Sequence, residues 1–318
     1  MDSIAVKVVR KVKEAEDVFC YELARIDGAP LPPFSAGAHI DVHIGAKLTR
    51  QYSLCNDPTE NQRYQIGVLR DPRSRGGSVA MHDKVHVGDT LKISPPKNHF
   101  PLAQADKTLL FAGGIGVTPI LCMAERLARI NADFEMHYCT RARERTAFLD
   151  RIKATSFASR VHFHFDDGPP DQKLILEEVL AKPNDGKHLY VCGPAGFIEH
   201  VVSTAKRLDW AGEHVHLEHF GAVAVESTGD SEFEVQIAST GKCYVIPAGR
   251  TVVEALGEQG IEIPVSCEQG ICGTCITRVL GGTPDHRDTY FSDAERDRND
   301  QFTPCCSRAK MDRLVLDI

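Results

Sequence analysis

The chain predicts a multidomain architecture of three parts: an antiparallel β-barrel at residues 1–103, an α/β domain with a parallel sheet at 104–225, and a smaller α+β domain at 226–318. Short alternating or apolar stretches separated by turn residues fill the first third. Strand-like and helix-like stretches alternate through the second. After a linker, Glu226-Ser227-Thr228-Gly229-Asp230, the pattern becomes a hairpin, a capped helix and a run of cysteines.

In chain order, strands are expected at 4–12, 18–23, 39–44, 64–69 and 90–94, set apart by turn signals such as Asp27-Gly28, Pro32-Pro33 and Gly88-Asp89. The α/β part reads as strands at 107–112, 134–138, 161–165 and 188–192, with helices at 119–130, 174–181 and 195–208. In the last part, 233–238 and 242–246 form a hairpin around Ser239-Thr240-Gly241. A helix follows, with Thr251 as N-cap and Glu254 completing a T-x-x-E capping box. Gly260 ends it, and 314–318 supplies a closing strand.

Composition excludes several classes of function. Hydrophobic residues are 42% and charged residues 25%, the mix of a folded chain. The net charge is −7, from 37 basic and 44 acidic residues, so no nucleic acid partner is expected. The N-terminus lacks the basic-then-apolar order of a secretion signal. The longest uncharged run, 108–124, has 17 residues and is broken by Gly113, Gly114, Gly116 and Pro119. A bilayer span needs about 20 apolar residues. No membrane association and a cytoplasmic location are expected. Eleven cysteines, an odd number, argue against a disulfide framework. Cys20, Cys55, Cys122, Cys139, Cys192 and Cys243 read mostly as small buried thiols.

The remaining five behave differently. Cys267-Glu268-Gln269-Gly270-Ile271-Cys272-Gly273-Thr274-Cys275 is C-x₄-C-x₂-C, and Cys305 follows after 29 residues. This is plant-type [2Fe–2S] spacing: four thiolates around two irons, three of them from one tight loop. Gly270 and Gly273 allow that loop to close and turn its N–H groups toward the sulfurs. A structural zinc site is the alternative, but it more often shows paired cysteines. Cys305 fits the spacing; adjacent Cys306 is the competing fourth ligand.

Arg50-Gln51-Tyr52-Ser53-Leu54 ends a β-like run. Tyr52 offers an aromatic face to an isoalloxazine, Ser53 a hydroxyl at its reactive edge, and Arg50 a planar cation to a phosphate. Ser74-Arg75-Gly76-Gly77-Ser78 adds a nest of N–H groups, an arginine and a hydroxyl suited to a terminal phosphate. A phosphate bound there caps the cofactor and favours FMN over FAD. Downstream, Gly113-Gly114-Ile115-Gly116-Val117-Thr118-Pro119 reads as strand, glycine turn and helix, with Thr118 as N-cap and Pro119 at the first helical position. A pyrophosphate can approach such a helix N-terminus. The turn is not the G-x-G-x-x-G fingerprint. Thr140-Arg141 and Cys192-Gly193-Pro194 end further strands, where α/β folds bind ligands. Arg141, Arg143 and Arg145 keep NADPH open beside NADH. Phe220, in Glu218-His219-Phe220-Gly221, stands where the α/β part ends; His219 reads as an interior histidine.

R-x-Y-S, G-G-x-G-x-T-P and C-G-P resemble the ferredoxin–NADP reductase superfamily. With Asp285-His286-Arg287-Asp288 and Cys306-Ser307-Arg308-Ala309-Lys310, essentially the whole chain resembles the phthalate dioxygenase reductase family. The resemblance implies a flavin β-barrel, a nicotinamide α/β domain and a ferredoxin-like (β-grasp) domain, holding FMN, NADH and a [2Fe–2S] cluster. It places Ser53 and Phe220 at the reacting flavin. It implies a Rieske-type oxygenase as partner, which takes one at a time the electrons that NADH delivers as a pair. A separate ferredoxin or haem acceptor is the alternative.

Overall fold

The computed structural model describes residues 3–45, 48–71, 76–220, 230–265 and 267–318. They fall into two compact units, 1–220 and 221–318.

The first unit opens with β1 (Ile4–Ala15), β2 (Val18–Arg25), β3 (His39–His43), β4 (Thr49–Ser53), β5 (Tyr64–Leu69), helix α1 (Gly77–Lys84) and β6 (Thr90–Ile93). The strands form one antiparallel sheet in the order β4-β3-β6-β1-β2-β5. A bridge between Leu54 and Ile66 joins its two edges into a barrel. Alternation does the sorting: Val6 and Val8 of β1 are fully buried, whereas Val9 is exposed. Helix α1 is unforeseen, because 77–84 has no apolar periodicity. Its place is fixed by tertiary contacts: Met81 is fully buried, and the Tyr21 hydroxyl donates to the Met81 carbonyl at 2.7 Å.

The same unit continues with β7 (Lys107–Gly113), α2 (Val117–Arg129), β8 (Asp133–Thr140), α3 (Leu149–Lys153), β9 (Val161–Phe165), α4 (Leu176–Val179), β10 (Lys187–Cys192), α5 (Ala195–Arg207) and β11 (Val215–Glu218). All five strands are parallel, in the order β11-β10-β7-β8-β9. Helix α4 is shorter than the expected 174–181. Ile175 is extended, and Lys182, at φ 59°, precedes Pro183, which disfavours helical backbone before it. One apolar cluster takes in Cys20, Cys55 and Phe100 as well as Leu110, Cys122 and Met136. Barrel and parallel sheet therefore share a core.

The second unit holds β12 (Phe233–Ile237), β13 (Cys243–Ile246), α6 (Val252–Glu258), β14 (Thr277–Gly281), β15 (Pro284–Asp285), α7 (Asp293–Arg296), β16 (Gln301–Phe302), β17 (Arg308–Ala309) and β18 (Arg313–Leu316). A mixed sheet, β13-β12-β18-β14-β16, packs Val235, Ile246, Phe302 and Leu314 against Val252 and Leu256 of α6. Parallel pairing of the first and last strands, β12 and β18, sits at its centre. The capping box forms as expected: Glu254 N donates to Thr251 Oγ1 at 3.1 Å, and Thr251 N to Glu254 Oε2 at 3.0 Å. Gly260, at φ 78°, follows the helix. Cys243 is an exception among the dispersed thiols, being exposed. Among the described residues, no helix is long and apolar enough to cross a membrane.

Candidate functional site: a flavin and nicotinamide cleft and a four-cysteine loop

Barrel closure brings the two flavin motifs together. Arg50 lies on β4 and Gly77 opens α1; a Cβ on Gly77 would stand 2.5 Å from Arg50 Cγ and 2.7 Å from Nε. Only glycine lets the arginine lie across this helix start. Gly76, in the left-handed region at φ 88°, caps the helix and turns its first N–H groups outward. The described part of the predicted nest, Gly76 to Ser78, is thus a helix N-terminus with a guanidinium beside it, an arrangement that suits a phosphate. Arg75 and Ser74 lie outside the described residues. Ser78 is tied locally, its hydroxyl accepting from Asp71 N at 3.1 Å.

At the other end of the motif, Tyr52 is half-buried, and burial pushes its phenol up. Ser53 is buried. Leu54 is fully buried in the barrel core and its N–H is bound to the Ala38 carbonyl at 2.9 Å, so it anchors the motif. The Ser53 hydroxyl hydrogen-bonds the carboxyl of Glu218, the last residue of β11. Burial pushes that carboxyl up to about 8. Its Oε2 is buried without a partner among the described residues. Glu218 also pairs with Cys192 across β10 and β11. A neutral, proton-bearing carboxyl with an open oxygen therefore stands beside Ser53, and this fits a ring with polar edges in the cleft. Sequence reasoning passed over Glu218; its one signal was its place at a strand end just before Phe220. Phe220 is 40% exposed where the first unit ends.

The nicotinamide motifs flank the point where strand order reverses. The chain passes from β7 to β8 on one side, and β10 returns on the other. Ligands bind outside the carboxyl ends of strands at such a switch point. Gly113 ends β7 and Gly114 and Gly116 follow it, while Cys192 ends β10 and Gly193 and Pro194 follow. The two turns interlock: a Cβ on Gly116 would collide with the Cys192 carbonyl, and one on Gly193 would stand 2.9 Å from Gly113 Cα. The predicted cap is corrected. A 3₁₀ turn at Gly114–Gly116 leads into α2 and puts the cap at Gly116. Thr118 and Pro119 are buried inside the helix, with the Thr118 hydroxyl donating to the Ile115 carbonyl at 3.1 Å. Thr140 is buried and hydrogen-bonded to Thr146 at 2.7 Å, whereas Arg141 is exposed at the same strand end. Arg145 pairs with Glu16 of the barrel at 3.0 Å.

In the second unit the ligand cysteines are buried. Cys267 and Cys272 hydrogen-bond each other, as do Cys275 and Cys305. Among the described residues, no three histidine, cysteine, aspartate or glutamate side chains converge to hold one metal ion. Two buried thiol pairs suit a centre of two metal ions better than a single one. Cys272 is pushed down to about 5, first by the hydrogen bond from Cys267 and further by Thr274; a ligand thiol must ionise to bind metal. Cys306 Sγ lies 3.3 Å from Thr303 Oγ1 and against Gly270, and it also hydrogen-bonds Cys305, so the 29-residue spacing rather than the thiol contacts favours Cys305 as the fourth ligand. Gly270 and Gly273 have φ of 70° and 69°, and a side chain on either would strike its neighbours. The two charged segments prove structural. Buried Asp288 accepts from Tyr290 N and Phe291 N at 3.1 and 2.9 Å. Arg287 pairs with Asp230 at 2.7 Å and with Asp285 at 2.8 Å, and buried Arg308 donates to the Ser231 and Pro247 carbonyls.

Residues 235–310 match the 2Fe-2S iron-sulfur cluster binding domain family. The chain is 53% identical to a vanillate O-demethylase oxidoreductase of a Pseudomonas species, over 100% of both chains. It is 39% identical to the phthalate dioxygenase reductase of Burkholderia cepacia, over 99% of this chain and 97% of that one. The chain belongs to the family of vanillate O-demethylase oxidoreductases and phthalate dioxygenase reductases. Its members named here are oxidoreductases, and so is this chain. A solved phthalate dioxygenase reductase, described as modular for electron transfer from pyridine nucleotides to [2Fe-2S], covers 99% of this chain and is itself 98% covered, with TM-score 0.80 at 39% identity. An intact type IV self-sufficient cytochrome P450 monooxygenase matches 99% of this chain over 41% of its own length, with TM-score 0.82 at 36% identity.

Proposed function

We propose that the chain is the reductase of a two-component oxygenase system, carrying electrons from NADH through FMN and a [2Fe–2S] cluster to a Rieske-type oxygenase in the cytoplasm. The observation that carries this reading is the joining, in one chain, of a switch-point cleft edged by Ser53 and Glu218 with a loop of paired cysteines. Residues 1–103, 104–225 and 226–318 are its flavin, nicotinamide and cluster-binding parts.

When bound, FMN accepts a hydride and the cluster passes on single electrons. The chain supplies the setting. Arg50 and the start of α1, with Arg75, hold the phosphate; Tyr52 packs on the ring; Ser53 hydrogen-bonds its reactive edge. Gly113, Gly114 and Gly116 admit the dinucleotide, with Thr118 and Pro119 fixing the helix behind them. Thr140, Arg141, Cys192, Gly193 and Pro194 line the strand ends, and Phe220 gives way when nicotinamide stacks. Glu218 keeps a proton beside Ser53. Cys267, Cys272, Cys275 and Cys305 hold the iron.

Anaerobic titration with NADH, followed optically and by electron paramagnetic resonance, tests the reading. The flavin bands should bleach, and the signal of a reduced two-iron centre should rise. In Cys272→Ser the flavin should still bleach while that signal disappears. A preparation containing neither iron nor acid-labile sulfide would refute the relay. A haem acceptor is a second reading, favoured by the self-sufficient monooxygenase likeness; reconstitution with a Rieske oxygenase and with a haem monooxygenase decides between them.

A further inference from the structure

The net charge of the chain is distributed unevenly. Residues 1–220 carry 28 acidic and 28 basic side chains, whereas residues 221–318 carry 16 acidic and 9 basic ones. The whole excess of −7 therefore lies in the second unit. An even spread would have left most of it on the larger first unit.

Within that unit, the cysteine loop has one outward side. The four ligand cysteines are buried, while Glu268, Gln269, Ile271, Gly273 and Thr274 between them are partly exposed. The ring of Tyr290 lies directly against Gly273, where a Cβ would strike it, and Tyr290 is itself 39% exposed. Helix α7 begins three residues later with Asp293, whose side chain is 97% exposed, followed by Glu295 and exposed Asp297. Arg296 fastens this helix to the loop by donating to the Asp288 carbonyl at 2.5 Å, and Asp288 Cα presses on Gly270. An exposed aromatic and three carboxylates, of which Asp293 pairs with Arg296 at 3.4 Å, are thus held beside the loop by part-buried contacts.

We propose that Tyr290 and the acidic start of α7 form the docking face through which electrons leave the second unit, and that its occupant is a protein acceptor with a basic patch around its redox centre. An exposed aromatic gives a dry contact at the centre of such a face. Carboxylates at its rim steer a basic partner and raise the association rate, an effect that falls with ionic strength. The inference rests on the cluster reading above, so the test separates the two.

The experiment uses the full-length holoprotein, with cytochrome c as a basic one-electron acceptor and ferricyanide as a small anionic one. The face variant is Asp293→Asn/Glu295→Gln/Asp297→Asn; glutamine at 295 can still make its hydrogen bonds to Ser292. The control, Glu232→Gln/Asp312→Asn/Asp317→Asn, removes the same charge from strand ends of the sheet. The face variant should reduce cytochrome c about 10-fold more slowly at low salt, as expected for lost steering, and lose most of the salt dependence of that rate. Ferricyanide reduction and the NADH-reduced cluster signal should match the wild type. Tyr290→Ser should lower the limiting rate with cytochrome c. The proposal is overturned if the face variant keeps the wild-type rate and salt slope, or if the control falls equally. It is also overturned if the cluster in the face variant no longer accepts electrons from NADH, which would make the face an entrance. A wild type whose cluster is never reduced by NADH refutes the relay itself.

Discussion

Glu218 shows how one side chain gains meaning only from its neighbours. A carboxylate at the end of a short strand has an ordinary affinity for protons until its surroundings dry out. Here burial raises it to about 8, and the Ser53 hydroxyl is its hydrogen-bond partner. The neutral form therefore dominates at pH 7, and the carboxyl ionises as pH rises through about 8. Wild-type hydride transfer from NADH to flavin should decline across that range. Glu218→Gln keeps an uncharged hydrogen-bonding group at every pH, so its stopped-flow profile from pH 6.5 to 9 should be flat. A break near 8 that survives in the variant would remove Glu218 from the step. Ser53 was legible in R-x-Y-S because a motif surrounds it. Glu218 was not, because the partner that defines it is far away in the chain.

Among the elements, most strands and the α6 cap were legible because their signals are local, whereas β11 and β14 to β17, short strands of two to five residues, were not foreseen. Alternation marks β1 and β5, and Thr251 with Glu254 marks α6. Helix α1 was not, since its residues become helical through contacts with the barrel. The Thr118 cap was misplaced for a related reason. The glycine turn continues as a 3₁₀ segment, which moves the helix start to Gly116. That placement puts Gly116 against Cys192, with no room for a side chain. Gly116→Ala should push the β7 and β10 turns apart and raise KM for NADH at least 10-fold, or about 1.4 kcal/mol, while flavin content stays at the wild-type level. Unchanged KM would show that the dinucleotide does not use this turn.

For the whole molecule, acid sensitivity follows from buried imidazoles in the first unit. Burial lowers His39 and His137 to about 4 each. Both stay neutral in the folded chain, while the unfolded chain protonates them near pH 6.5. Their contribution is therefore intact above pH 6.5 and is lost as pH falls toward 4. At pH 5 the loss is on the order of 2 kcal/mol for each. Trp210 is the one tryptophan; it is buried, and its indole N–H donates to the Leu180 carbonyl at 2.9 Å. Its fluorescence should report a melting temperature several degrees lower at pH 5 than at pH 7.5. Equal values would mean that these imidazoles reach water.

The sequence by itself determined which chemistry the chain can hold. Cysteine spacing, glycine turns and R-x-Y-S are short-range patterns, because covalent proximity delivers three thiolates or a phosphate loop from one stretch of backbone. Tertiary structure alone decided what meets what. It set Arg50 against Gly77, Glu218 beside Ser53 and Cys192, the interlock of the β7 and β10 turns, and the shared core that makes barrel and parallel sheet one unit. These pairings join residues 26 to 165 positions apart, and no local preference encodes a contact that depends on closing a barrel and ordering a sheet.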